Sequence, residues 1–217
     1  MPTNPRERVP LSLEARATLV RRGVQLTDAT IGYNSFEALA SLIAGVVSGS
    51  PALVGFGVDS LIELTSSVAA RWRLRADHDR GRREHAERIT ARIVGYSFLL
   101  LAVYLTLESG MAIVRHERPD RSVAGIVILA LSVVVMPVLA RGKRRVAVAL
   151  ESRALESDAT QTSLCAYLSA IALAGVALNV SLGWWWADPA AALAMCPIIV
   201  REGLDGVRGE SRCDDCR

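Results

Sequence analysis

The stretch 52–70, ALVGFGVDSLIELTSSVAA, carries only two charged side chains in nineteen residues, Asp59 and Glu63. A helix of that length spans about 28 Å, enough to cross the hydrocarbon core of a bilayer. Asp59 and Glu63 are four apart, so they share one helical face, one turn from each other. A carboxylate facing hydrocarbon is costly, and such residues face a polar cavity, a partner or a bound cation instead. Two on one face can hold a divalent ion between them. This stretch therefore reads as a membrane helix with a cation-binding stripe.

Working outward, the chain has 217 residues, 51% of them hydrophobic, and a mean hydropathy of +0.30. The apolar content is gathered into six runs, about 32–48, 52–70, 94–114, 123–140, 155–182 and 184–200. Of the 25 Lys and Arg, 22 fall before the first run, between the second and third, between the fourth and fifth, or after the sixth. Arg115, Arg118 and Arg121 are the three on the other side. That asymmetry is a positive-inside signal and predicts both termini in the cytoplasm. The expectation is an all-α integral membrane protein with six transmembrane helices, multi-pass in the cytoplasmic membrane. Residues 1–30 form a cytoplasmic segment without a signal-peptide pattern. Residues 31–200 are the membrane domain and 201–217 a short cytoplasmic tail. Trp184, Trp185 and Trp186 fall where an interfacial belt belongs, and Asp188-Pro189 reads as a capped helix start.

The net charge of +3 needs no nucleic acid. The Arg-rich loop 71–92 reads as a topology signal that also contacts anionic lipid, with no aromatic interleaving to suggest RNA or DNA. An intramembrane enzyme is not expected, since no second catalytic group lies at the depth of the acid pair, and no resident cofactor is expected.

Other polar residues inside the runs are candidates for the same site. Asn34 and Glu37 are three apart in the first run and either stay hydrated at its end or line a cytoplasmic vestibule. Asp158, Gln161 and Cys165 follow i, i+3, i+7 in the fifth, so one stripe holds a carboxylate, an amide and a thiol. The tail carries Cys213-Asp-Asp-Cys216, a pair able to grip a thiophilic metal if further ligands join it. His78 and His85 lie in the second cytoplasmic loop, where a secondary metal site competes with a plain solvated helix. No histidine lies in a run, so an all-histidine zinc site is excluded.

With these residues in place, the chain resembles the cation diffusion facilitator family from about residue 25 to 208. Asp59-Ser-Leu-Ile-Glu63 is similar to that family's D-S-L-x-D in the second span, with Glu in the second place. The turn 183–189 is similar to its G-W-x-x-A-D-P. The family's fifth span supplies H-x-x-x-D, which is absent here. One register sets Asp158 in the Asp place and Ala154 in the His place, and the other sets Gln161 and Cys165 in the two places. The Y-N-x-x-E text at 33–37 resembles an actinobacterial-like branch. The resemblance is to a short form without the C-terminal cytoplasmic domain.

The resemblance implies outward transport of a divalent cation and a homodimer. Carboxylates must lose protons to bind a metal, which suits proton antiport. The donor set fits Zn²⁺ best, with Fe²⁺, Co²⁺, Mn²⁺ and Cd²⁺ open. Two other readings stand beside this one: a membrane-anchored metal sensor or scaffold acting through the Cys213/Cys216 tail, and a carrier of an organic cation.

Overall fold

A computed structural model describes residues 13–75, 80–150 and 152–208. They form six helices in chain order: α1 (Leu13–Ser48), α2 (Pro51–Arg75), α3 (Arg80–Arg115), α4 (Val123–Leu150), α5 (Arg153–Leu182) and α6 (Ala187–Arg208). The protein is all-α, as the apolar runs predict. Helices α1 to α5 are each long and apolar enough to cross a membrane. In α6 the apolar text between Asp188 and Arg201 is shorter, and the helix packs against α3 and α5.

The helices are longer than the apolar runs. Helix α1 starts at Leu13, eighteen residues before the predicted membrane boundary, and α4 continues to Leu150, ten beyond it. Charged side chains do not end a helix; they end its contact with lipid. Helix α6 starts at Ala187, so the three tryptophans sit in the turn before it, where Trp184 stacks on Trp186 with ring centroids 5.4 Å apart.

Burial is inverted relative to a water-soluble bundle. Helix α1 buries Thr27, Thr30, Asn34, Glu37 and Ser41 and exposes Phe36, Leu39, Ile43, Val46 and Val47. Helix α4 exposes Val127, Leu131, Val134 and Val138. In water that surface would be a large uncovered apolar patch. In a bilayer it is the lipid-facing side, with polar groups turned inward. The chain is a multi-pass membrane protein.

The closest helix pairs are α1 with α2, α4 with α5, and α3 with α6. Helix α1 also meets α4, and α2 meets α5, so these four helices enclose one seam while α3 and α6 flank it. Small residues let the backbones approach. A Cβ on Gly95 would lie 2.6 Å from the Val207 amide nitrogen and 2.7 Å from the Gly203 carbonyl. One on Gly45 would lie 2.7 Å from the Val54 nitrogen.

The three short loops (49–50, 116–122 and 183–186) share one end of the bundle, the loop end. There the Asp120 amide donates to the Ser48 carbonyl at 2.7 Å, and Asn179 Nδ2 donates to the Pro119 carbonyl at 3.1 Å. Asp188 departs from the expected role. It lies inside the first turn of α6, and its carboxylate accepts from the Ser50 hydroxyl and from the Ala52 amide, capping α2 rather than its own helix.

Candidate functional site

The seam between α2 and α5 is a ladder of polar side chains. On α2, Asp59, Glu63 and Ser67 follow at intervals of four, and all three are buried. On α5, Cys165, Thr162 and Asp158 follow at intervals of three and four, and all are buried. The helices run in opposite directions, so the two series meet rung by rung. Asp59 and Glu63 both face Cys165, Glu63 also faces Thr162, and Ser67 donates to Asp158 Oδ1 at 2.7 Å.

Helix α1 adds Glu37 to the upper rungs. Its side chain is 0% exposed, Ser60 Oγ donates to Glu37 Oε2 at 2.9 Å, and the Cys165 thiol lies 3.8 Å from the same oxygen. Tyr33 from α1 and Ser132 from α4 lie beside it. Asn34 is also fully buried, and both of its amide atoms lack a hydrogen-bond partner within the protein. Of the two readings of this pair, the hydrated helix end does not hold.

The acids leave unused acceptors. Asp59 Oδ2, Glu37 Oε1 and both carboxylate oxygens of Glu63 have no hydrogen-bond partner within the protein. Buried polar atoms are normally paired, so a concentration of unpaired ones marks a place where a ligand supplies the partner. These oxygens and the Cys165 sulfur suit a divalent cation. Among the described residues no three His, Cys, Asp or Glu side chains already stand in metal-ligand geometry. Glu37 is held by Ser60, and closing around an ion requires changes of rotamer.

Asp158 lies on a different rung and has a different partner. Its Oδ2 is 2.7 Å from Lys143 Nζ, and neither side chain is exposed. Lys143 also donates to Thr162 Oγ1 at 2.9 Å and stands 3.5 Å from Ser67 Oγ. The fourth apolar run ends at 140, so by sequence Lys143 belongs with Arg141, Arg144 and Arg145 in a basic segment. A signal was present: Gly125, Leu129, Ser132, Met136, Ala140 and Lys143 form one buried stripe at helical spacing. Lys143 continues that stripe; its basic neighbours do not.

Of the two registers for α5, Cys165 is the residue beside Asp59, Glu63 and Glu37. Gln161 is half-buried with Oε1 unpaired. His78, Cys213 and Cys216 lie outside the described residues, as does the side chain of His85.

The cation-efflux pump FieF of Shewanella oneidensis is 26% identical over 178 residues, which cover 79% of this chain and 58% of that protein. The chain thus spans 58% of the length of that relative. A family model described as the cation efflux transmembrane domain matches residues 29–209. With most of its length matched and an intramembrane acid ladder at its centre, the chain belongs to the cation efflux transmembrane domain family.

Proposed function

We propose that this protein carries a divalent transition-metal cation out of the cytoplasm, with Asp59, Glu63, Glu37 and Cys165 as the ligands. The observation that carries the reading is the set of unpaired, buried carboxylate oxygens on α1 and α2 facing a buried thiol on α5. Three carboxylates and a sulfur offer more negative charge than a divalent ion needs, which leaves room for a proton to stay on the site, and their mix of hard and soft donors favours Zn²⁺, then Cd²⁺, over Mn²⁺, Fe²⁺ or Co²⁺. Glu37, from α1, serves as the fourth ligand in a site without histidine. Gln161 and Asn34 line the approach as neutral oxygen donors.

Metal binding requires deprotonated carboxylates and releases protons, so a proton gradient directed inward drives release on the outer side. The outward direction is consistent with the relative being a cation-efflux pump. Rocking of α1, α2, α4 and α5 about the seam alternates its exposure. The Lys and Arg asymmetry supports a cytoplasmic-membrane location with both termini inside. The carrier works as a homodimer.

Proteoliposomes loaded with a metal-sensitive dye and given a pH gradient test the reading. Wild type is expected to show proton-coupled Zn²⁺ flux that Asp59→Asn abolishes. A folded wild type without flux of any of the five metals overturns it.

A further inference from the structure

Away from the acid ladder, a groove of about 590 Å³ lies between α2 and α3. Its walls are mostly apolar, with Val58, Leu61 and Ile62 of α2 across from Ile93, Leu100 and Leu101 of α3. Leu61, Ile93 and Leu100 are exposed, so the groove opens toward lipid. The packing of α3 explains why it forms. Near the loops, Leu105 of α3 fits against Gly55 of α2, where a Cβ would lie 2.6 Å from the leucine side chain. Toward the other end α3 leans on α6 instead, with Gly95 against the backbone of Gly203 and Val207. Fastened to different neighbours at its two ends, α3 leaves a wedge beside α2.

The dimensions select a slender occupant. Along α3 the groove runs from Ile93 to Tyr104, eleven residues or about 16 Å, the depth of one leaflet. A helix with its side chains is about 10–12 Å across, so 16 Å of one takes on the order of 1,300 Å³, about twice the space present. A helix of a second copy does not fit, and an acyl chain does. The charge at one mouth selects the headgroup. Arg92, which is exposed, directly precedes Ile93, and exposed Trp72 lies seven residues from Thr65 on the same stripe of α2. The segment 71–92 holds eight Arg against four Asp and Glu. A guanidinium takes a phosphate through paired N–H donors, and an indole favours the membrane interface. We propose that the α2–α3 groove binds an anionic phospholipid, with one acyl chain between the helices and the phosphate on Arg92 beside Trp72. Val58 and Ile62 adjoin Asp59 and Glu63 in sequence, so the chain lies along the back of the helix that carries the acids and steadies it.

The full chain is stripped of lipid in detergent and unfolded by heat with added phosphatidylglycerol or with phosphatidylcholine of the same acyl chains. Native mass spectrometry counts the lipid retained. Phosphatidylglycerol is expected to raise the melting temperature of wild type about 5 °C more than phosphatidylcholine does. Arg92→Gln is expected to weaken phosphatidylglycerol binding about fivefold and to narrow that preference. Ser97→Phe fills the groove from its α3 wall. It is expected to lose the retained lipid while its lipid-free melting temperature stays at or above that of wild type. Leu100→Phe, at an exposed position of the same wall, makes the same test if Ser97→Phe does not fold.

Equal shifts by the two lipids overturn the proposal, as does phosphatidylglycerol bound as tightly by Arg92→Gln as by wild type. Undiminished lipid in a groove-filling variant overturns it too. A groove-filling variant that keeps its lipid but changes from dimer to monomer shows that a second copy covers this face, and so also overturns it. The carrier reading stands or falls separately, on metal flux.

Discussion

Cys165 and Glu37 are 128 residues apart in sequence, and the thiol sulfur stands 3.8 Å from the Glu37 Oε2. The contact joins α1 to α5 across the seam and sets a soft donor against a hard one. Cys165→Ser keeps a hydroxyl donor for Glu37 and removes the sulfur. Its expected outcome is a folded carrier with Zn²⁺ flux reduced a few-fold and Cd²⁺ flux reduced much further, at least tenfold, in a side-by-side liposome assay. Equal losses for the two metals would place the sulfur away from the ion.

Asp59→Asn and Glu63→Gln are expected to raise the melting temperature of the metal-free protein and to abolish the further rise that added Zn²⁺ produces. Each replaces a buried, ionisable group with unpaired oxygens by an amide that cannot ionise, so the resting fold no longer bears the cost of a buried charge. Thermal unfolding in detergent with and without Zn²⁺ separates the two effects. A lowered melting temperature without metal would mean that the acids have partners within the fold.

Removing Lys143 alone should cost far more than removing it with its partner. Lys143→Met leaves Asp158 buried and unpaired, at a cost of about 3–5 kcal/mol. The double change to Met and Leu substitutes apolar groups for both and should fall within about 1 kcal/mol of wild type. Unfolding free energies of the single and double variants decide this. Equal destabilisation would show that the pair is solvated rather than dry.

The glycine contacts give a packing prediction with its own control. Gly95→Leu forces α3 away from the α6 backbone at Gly203 and Val207 and should destabilise by about 1–3 kcal/mol. At Gly110 an added Cβ meets nothing within 4 Å, so Gly110→Ala should be neutral or slightly stabilising. Equal loss of stability in both variants would show that the close α3–α6 approach is not what sets Gly95 apart.

The fold was legible because lipid imposes a composition that water does not. Apolar runs gave the number of helices, and the segregation of Arg and Lys gave their connectivity across two faces. Helix ends were less legible, because the Arg-rich turns after Ala70 and Ala140 end the apolar signal while the helix continues. Asp59 and Glu63 stood out as charges without company, and both lie in the ladder. Asp158 looked equally bare for a different reason: its partner Lys143 sits among basic neighbours, and only the period of the α4 stripe distinguishes it from Arg144 and Arg145. Choosing between the α5 registers required knowing which residues of α2 stand opposite, which is tertiary information. Asp188 was misread as a local cap because the groups it bonds, at Ser50 and Ala52, are about 140 positions away.

The ties at the loop end bear on how such a bundle can move. Ser50 to Asp188, Asp120 to Ser48 and Asn179 to Pro119 bind the three loops to one another and to the starts of α2 and α6. At the opposite end the described polar ties are the buried Lys143–Asp158 pair and an ion pair between Asp28 and Arg71 that is about two-fifths exposed, and a small apolar cluster of Val146, Ala147, Leu155, Leu26, Leu74 and Leu150 joins α1, α2, α4 and α5. Alternating exposure of the seam would therefore break hydrogen bonds between loops at one end and apolar contacts between helices at the other.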